Sequence, residues 1–422
     1  MKKKFVLFLV VIILLNTYSY AAGDELDLSG EGAILIDFNS GAILYEKNIH
    51  QKLYPASTTK ILTAILAIEY GMMDDIVTVD SEVISLTKGS HIALDYDEQM
   101  SFEDLINALM IASANDAALA LAKHVAGSME GFINMMNEKA KELGAFNTNF
   151  VNPNGLHDDN HYTTAYDLSL IAKYAMSNET FREFSSKSSY TIEPTNKKDE
   201  PRYLYSTNEF FYGNNKINLN GQSIPIAYDG VICGKTGYTG NAGNCLVTLA
   251  EKNGQHLLSV VLKSNGKEVY ADTHKLLNYG FNNFDNVIMG HANEFIDNIE
   301  VENGTLPYAS IVIDKDVRYI LKTNSLDAIE RKINFNEEIK APLSKGDSVG
   351  TVEYYLNDTL IGTGDLISTI DVSEVPPVKF YQRILDKWYL IVFVGLIVLR
   401  FVYLFNKSKR RRRRRSSRIY GY

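Results

Sequence analysis

Two cysteines in 422 residues exclude a disulfide framework as the support of this chain. Internal repeats are absent, and low-complexity sequence is confined to one arginine block, which excludes a solenoid or a biased linker protein. Disorder is excluded by the composition, 45% hydrophobic, 22% charged and 11% aromatic, which suits two or three folded domains. Basic residues are scarce away from the ends. Setting aside three N-terminal lysines and nine C-terminal cations leaves 30 basic against 51 acidic residues, a balance of −21 where the whole chain is −9. So acidic a body is unsuited to nucleic acid.

Long apolar runs are few, and both lie at the ends. Lys2, Lys3 and Lys4 precede an apolar run from Phe5 to Leu15, followed by Ser19 and Ala21 at the −3 and −1 spacing of a cleavage site. This predicts a secretory signal over residues 1–21. The alternative is an uncleaved anchor, but 11 residues fall short of the roughly 20 that a bilayer span needs. At the other end Trp388 to Phe405 is apolar apart from Gly395 and Arg400, and is followed by Lys407, Lys409, Arg410 to Arg415 and Arg418. Eighteen helical residues cover about 27 Å, near the roughly 30 Å of a hydrocarbon core. We expect a membrane helix over 386–405 and a basic cytoplasmic tail over 406–422, oriented by the positive-inside rule. The competing reading, a helix lying on the membrane surface, requires one apolar face, and here apolar residues occur all round.

Between the ends, Ala33 to Phe38 and Ala42 to Tyr45 flank Asn39-Ser40-Gly41, a hairpin signal. Helical periodicity follows through Ile61, Leu62, Ile65 and Leu66, and Ser101 with Asp104 resembles a capping box. Further helices are expected from about Phe132 to Leu143 and after Thr163 and Thr164. Strands return at Val231 to Lys235, Cys245 to Ala250 and Leu257 to Lys263, before a closing helix around Thr273 to Tyr279. This order predicts an α+β domain over 24–287, with helices packed on an antiparallel sheet. Short β-branched runs at Ile311 to Ile313, Val317 to Leu321 and Val352 to Leu356 predict a small all-β domain over 288–377. Val375-Pro376-Pro377 marks a stiff exit from it. Cys233 and Cys245 lie symmetrically about position 239, so a bridge across a hairpin and two buried thiols are both open readings.

Three short motifs carry chemistry. Ser57-Thr58-Thr59-Lys60 places a hydroxyl and an amine on one face at the start of a helix. A serine hydroxyl is nearly inert until its proton is removed, and lysine removes it only when its own charged form is disfavoured. Ser113-Ala114-Asn115 occupies an interhelical loop, where Asn115 or Asp116 as a helix cap is the plain alternative. Lys235-Thr236-Gly237 ends a strand, and glycine there lets a substrate backbone approach. Each motif alone is common. Their conjunction, in this order, is the pattern of penicillin-binding proteins and class A β-lactamases.

The chain resembles the low-molecular-mass penicillin-binding proteins that are D-alanyl-D-alanine carboxypeptidases, serine peptidases with a β-lactamase-like fold. The resemblance runs through Ala56 to Lys60, Ser113 to Ala117, Asn152-Pro153-Asn154-Gly155-Leu156-His157, His161 to Ala165 and Gly234 to Thr239. It continues into Ala341-Pro342-Leu343, Lys345-Gly346 and Val349-Gly350 of the β domain. It implies that Ser57 attacks the carbonyl between two terminal D-alanines, with Lys60 as base and Ser113 passing a proton to the departing amine. It further implies that Asn115 holds the substrate amide and that Lys235 and Thr236 bind the terminal carboxylate. The backbone amides of Ser57 and Tyr238 would form the oxyanion hole beside Gly237. The implied partners are peptidoglycan stem peptides ending in D-Ala-D-Ala, β-lactam antibiotics as covalent inhibitors, and a membrane; no cofactor is implied. Two departures stand out: Cys233 replaces an aliphatic residue and Asp97 a turn glycine.

Four other readings are weighed. A class A β-lactamase needs a glutamate for its deacylating water, and no Glu-x-x-Leu-Asn segment lies between Asn115 and Lys235. A zinc site at His157 and His161 lacks both a helix and a third ligand. A cross-link endopeptidase would use the same three motifs. A non-catalytic peptidoglycan scaffold is opposed by the intact Ser57, Lys60, Ser113 and Lys235.

Overall fold

A computed structural model describes residues 26–323, 329–377 and 387–416. The expected signal over 1–21 lies outside these residues, as do position 386 of the expected membrane helix and Arg418 of the tail. The chain divides into two units: residues up to 287 with 318–323, and residues 288–317 with those from 329 onward.

The first unit is built on five antiparallel strands, β1 (Gly32–Asp37), β2 (Ile43–Lys47), β3 (Val231–Thr239), β4 (Gly243–Lys252) and β5 (Gln255–Ser264), in the order β2-β1-β5-β4-β3. The first and last strands in sequence therefore lie side by side at the centre, with Gly32 opposite Leu262 and Asp37 opposite Leu257. Alternate residues of β4 and β5 serve different cores, because successive side chains of a strand point to opposite faces. Val247, Leu249, Leu258, Val260 and Leu262 belong to the large helical core. Leu246, Ala250, Leu257 and Val261 pack with a single helix, α8. Covered on both faces, β5 reads as a continuous apolar run rather than an alternating one.

The helices are α1 (Lys60–Tyr70), α2 (Ser81–Leu86), α3 (Phe102–Ile111), α4 (Asn115–Ala126), α5 (Met129–Glu142), α6 (Ala165–Ser177), α7 (Glu179–Ser186) and α8 (Glu268–Asn283). Their starts are chemically marked. Ser101 accepts from Asp104 N at 3.0 Å, and Thr164 accepts from Asp167 N at 3.0 Å, each occupying an amide that the helix leaves free. Short strand pairs at Ile76–Thr78 with Gln99–Ser101, Ser189–Ile192 with Arg202–Tyr205 and Lys216–Leu219 with Gln222–Pro225 lie outside the strands expected from the sequence, because runs of three or four residues are too short for alternation to stand out. Asp97 adopts φ +63°, a conformation that favours glycine, which accounts for glycine being the residue expected there.

The register of β3 and β4 decides between the cysteine readings. Cys245 pairs with Gly237 and Cys233 with Leu249, so the hairpin is not centred on 239 and the two thiols are not opposite one another. Both are free and buried, and burial pushes each thiol up to about 12.

The second unit contains an antiparallel sheet of β6 (Phe295–Glu300), β7 (Tyr308–Ile313), β8 (Ile329–Phe335), β9 (Ser348–Leu356) and β10 (Thr359–Ser368), ordered β6-β7-β10-β9-β8. Its core gathers Ile311, Ile313, Val352, Tyr354 and Leu366. Residues 318–323 depart from the expected domain boundary and join the first unit. There Ile320 is buried in the core against α8, and Thr323 N donates to Asn283 O at 2.9 Å. A last helix, α9 (Trp388–Ser416), contains a stretch, Trp388–Arg412, long and apolar enough to cross a membrane, with none of its residues buried.

Asp272 on α8 fastens the start of the chain to the sheet. Its carboxylate accepts from Ser29 N and Gly30 N, both at 2.9 Å, and from Ser264 Oγ at 2.8 Å. An unsatisfied buried donor costs about 1–3 kcal/mol, and Asp272→Ala strands three. We expect this substitution to lower the unfolding free energy by about 3 kcal/mol or more, measured by urea denaturation; a loss below about 1 kcal/mol would show that the fastening is dispensable.

Candidate active site

Ser57 sits in a single 3-10 turn, Ala56–Thr59, that feeds directly into α1. Lys60, the first residue of α1, is wholly buried. Its Nζ lies 3.0 Å from Ser57 Oγ, 2.6 Å from Asn115 Oδ1 and 2.6 Å from the carbonyl of Asn154. Burial holds the amine well below its usual pKa, the charge of Lys235 acts in the same direction, and Asp116 opposes both. Burial and the second cation thus both disfavour the charged form.

The loop between α3 and α4 supplies the next two groups. Ser113 adopts φ +55°, turning its hydroxyl to Lys235 Nζ, which donates to it at 3.0 Å. Asn115 is fixed in orientation, since its Nδ2 donates to Lys88 O at 2.6 Å and only its oxygen remains for Lys60. Asn115 is therefore not a helix cap. Asp116 does bind backbone amides, but in part across the fold, taking Ile92 N and Leu94 N as well as Ala117 N.

Strand β3 contributes the remainder. Lys235 is 1% exposed, and burial lowers its amine to about 7. Thr236 Oγ1 lies 2.7 Å from Thr207 Oγ1. Gly237 leaves no room for a side chain, because a Cβ there would stand 2.9 Å from Ser57 N and 3.0 Å from Pro55 O. Tyr238 is exposed at the mouth.

Ser57, Ser113, Thr236, Gly237 and Tyr238 line a cleft of about 390 Å³. Lys60, Asn115 and Lys235 are buried behind it: Lys60 is bonded to Ser57 and Lys235 to Ser113 at its wall, and Asn115 is bonded to Lys60. All eight residues singled out in the sequence are thus brought together. Asn154, Gly155 and Thr207 were given no role there. Asn154 and Gly155 carried a turn signal that was available; a Cβ on Gly155, at φ +82°, would stand 1.9 Å from Ala56 O. Thr207 reaches the site only through tertiary packing and had no local signature. His157 and His161 do not converge on a common ligand. The former is bonded to Asn241 Nδ2 at 2.7 Å, the latter to Thr59 Oγ1 at 2.8 Å.

A serine at the cleft wall bonded to a buried lysine, with a second buried lysine bonded to a second serine, is the arrangement of a serine hydrolase of the acyl-transferring kind. The family described as D-alanyl-D-alanine carboxypeptidase matches residues 19–266, and the C-terminal domain of penicillin-binding protein 5 matches residues 284–374. D-alanyl-D-alanine carboxypeptidase DacF of Bacillus subtilis is 31% identical over 373 residues, covering 86% of this chain and 91% of its own. DacA of Escherichia coli K12 is 30% identical over 376 residues, covering 85% and 87%. Among solved structures, penicillin-binding protein 5 from Haemophilus influenzae superposes with a TM-score of 0.65 at 27% identity, covering 83% of this chain and 99% of that one. The chain belongs to the D-alanyl-D-alanine carboxypeptidase family of serine peptidases.

Because Gly237 packs against the serine turn, Gly237→Ala should push β3 away from Ser57. We expect a loss of about 1–3 kcal/mol in stability, the usual cost of overpacking, together with slower acylation by a fluorescent penicillin. Unchanged labelling at full stability would show that the close approach has no part in the site.

Proposed function

We propose that the protein removes the terminal D-alanine from peptidoglycan stem peptides through an acyl-enzyme on Ser57, and that penicillins acylate the same oxygen. The observation that carries this reading is the set of partners around Lys60. A neutral amine has two hydrogens and one lone pair. Asn115 Oδ1 and Asn154 O, the two acceptors at 2.6 Å, occupy the hydrogens, and the lone pair is left for the Ser57 hydroxyl.

In the forward step a bond forms between Ser57 Oγ and the substrate carbonyl carbon, and the Ser57 proton passes to Lys60. The carbonyl electrons move to oxygen, where the amides of Ser57 and Tyr238 would receive the charge. Losing one such donor typically costs about 3 kcal/mol of transition-state stabilisation. Collapse breaks the bond to the departing amine, which takes the Ser113 hydroxyl proton, and Lys60 returns a proton to Ser113. Water then gives a proton to Lys60 as it adds to the ester carbonyl, the bond to Ser57 Oγ breaks, Lys60 reprotonates that oxygen, and the shortened peptide leaves as its carboxylic acid.

Thr236 presents its hydroxyl to the terminal carboxylate, while Lys235 adds charge from behind Ser113 rather than from the cleft itself. This fits a requirement for a free C-terminus. Asn115, buried as it is, orients Lys60 first and meets the substrate amide only at its edge. We assign α9 as a C-terminal anchor, with the basic stretch from Lys407 on the cytoplasmic side and the catalytic unit outside.

One assay decides the reading. Release of D-alanine from a diacetyl-Lys-D-Ala-D-Ala peptide should be penicillin-sensitive in the wild type and undetectable in Ser57→Ala. Labelling by penicillin without release would redirect the reading to a cross-linked substrate, and neither would leave only a scaffold.

The lowered proton affinity of Lys235 makes a signed prediction. With its amine at about 7, the free protein holds this proton below pH 7 and lacks it above. A bound carboxylate favours the charged form, so binding of a D-Ala-terminated peptide to Ser57→Ala should take up close to one proton at pH 8 and little at pH 6. Calorimetry in buffers of different ionisation enthalpy measures this, and equal uptake at both pH values would remove Lys235 from carboxylate recognition. Finally, a chain ending at Pro377 should move from the membrane to the soluble fraction; retention in the membrane would place the anchor elsewhere.

A further inference from the structure

The His157-x-x-x-His161 spacing takes no part in the chemistry proposed above, and the structure gives one of its two rings a definite task. His161 is 2% exposed, stacked edge-on against Phe150 at 5.5 Å. Its Nδ1 accepts from Val151 N at 3.2 Å. That bond fixes the tautomer, so Nε2 carries the hydrogen and donates to Thr59 Oγ1 at 2.8 Å. The two partners matter by position. Thr59 directly precedes Lys60, and Val151 opens the loop that presents the Asn154 carbonyl to the Lys60 amine.

That loop is braced by its own hydrogen bonds. Asn152 Oδ1 accepts from Gly155 N at 2.7 Å, Asn152 Nδ2 donates to Leu156 O at 2.9 Å, and Asn154 Oδ1 accepts from Leu156 N at 3.1 Å. With its interior braced in this way, the placing of Asn154 O depends on how the loop is held against the serine turn. His161 spans that gap with one rigid ring bonded at both nitrogens. Pro153 O, accepting from Thr63 Oγ1 at 2.6 Å, adds a hold one turn further along α1.

We propose that His161 is a positioning residue for the general base: by clamping Thr59 to Val151, it holds the Asn154 carbonyl on Lys60 and so keeps the lysine lone pair on Ser57. The inference rests on the Ser57 and Lys60 roles given above. Without the clamp, Lys60 loses one of its two fixed acceptors, the amine is free to rotate, and the lone pair spends less time facing the hydroxyl. Burial supports the arrangement by holding the ring neutral, at about 4; His157 and Lys60 press in the same direction and Asp158 opposes them.

The test uses the full chain and a fluorescent penicillin, with rates normalised to the number of sites that label, so that misfolded protein does not count. Thr59→Val removes the acceptor while keeping the branched shape, and His161→Leu removes both bonds. Each should lower the per-site acylation rate constant about tenfold or more. The double variant should fall no further than the worse single one, because both cut one linkage. With the D-Ala-D-Ala peptide, kcat should drop while KM stays within about twofold, and the acid limb of the rate profile should move by about half a pH unit or more.

A merely structural histidine would lower the melting temperature and the labelled fraction, yet leave per-site rates and the pH profile at wild-type values. That result, or strictly additive losses in the double variant, overturns the proposal. Ser57→Ala is carried in parallel. Labelling that persists there, or is absent from the wild type, refutes the nucleophile and this inference with it; labelling lost there with unchanged Thr59 and His161 variants refutes this inference alone.

Discussion

The site depends on keeping a lysine amine dry. A wholly buried ammonium is strongly disfavoured, so the fold must either pair Lys60 with a carboxylate or let it lose its proton. Among the described residues only Asp116 contributes an opposing charge, and it is engaged by the backbone amides of Ile92, Leu94 and Ala117. The surrounding elements all serve the second solution. Helix α1 places the amine one turn from the serine, α4 and the 152–156 loop supply neutral acceptors, and β3 brings a second cation close enough to penalise a first. Each of these acceptors is uncharged, so they orient the amine with less gain to its charged form than a carboxylate would bring, and burial with Lys235 outweighs them.

The same constraint accounts for the cover over β3 on the helical side of the sheet. Lys235 sits on an edge strand, where a lysine would ordinarily reach solvent. Here the 3-10 turn and α7 lie over β3, and the register that sets Lys235 opposite Val247 points its side chain into the helical core. Gly237 two residues on allows the turn to sit against the strand. Stability and reactivity are therefore linked at these positions: the packing that buries the lysines is the packing that holds Ser57 in reach.

Much of this was legible in the sequence because it was written in local spacing. Ser57 and Lys60 share a helix face, Ser113 and Asn115 share a loop, and Lys235, Thr236 and Gly237 share a strand, so each group declares itself within a few residues. The capping serine at 101 and the threonine at 164 were equally local. What was not legible is what distance in sequence conceals. Asn154 reaches Lys60 across 94 residues, and Thr207 reaches Thr236 across 29. The cysteines show the limit from another side: symmetry in the numbering left a bridge and two buried thiols equally open, and only the register, with the turn centred beyond 239, decides for the free thiols. The transfer of residues 318–323 to the first unit is likewise a matter of which core accepts Ile320, a choice that a short β-branched run does not record.

The pairing of β1 with β5 sets a condition on when the protein becomes active. The strand that begins the domain finds its neighbour more than two hundred residues later, so the central seam of the sheet closes only after almost the whole unit exists as free chain. Such distant pairing is slow. A partly made chain can hold Ser57 and Lys60 one turn apart, but it has no β3 beside them and so neither the second lysine nor the closed pocket. The burial that disfavours the charged form of Lys60 is therefore gained only when the domain is complete.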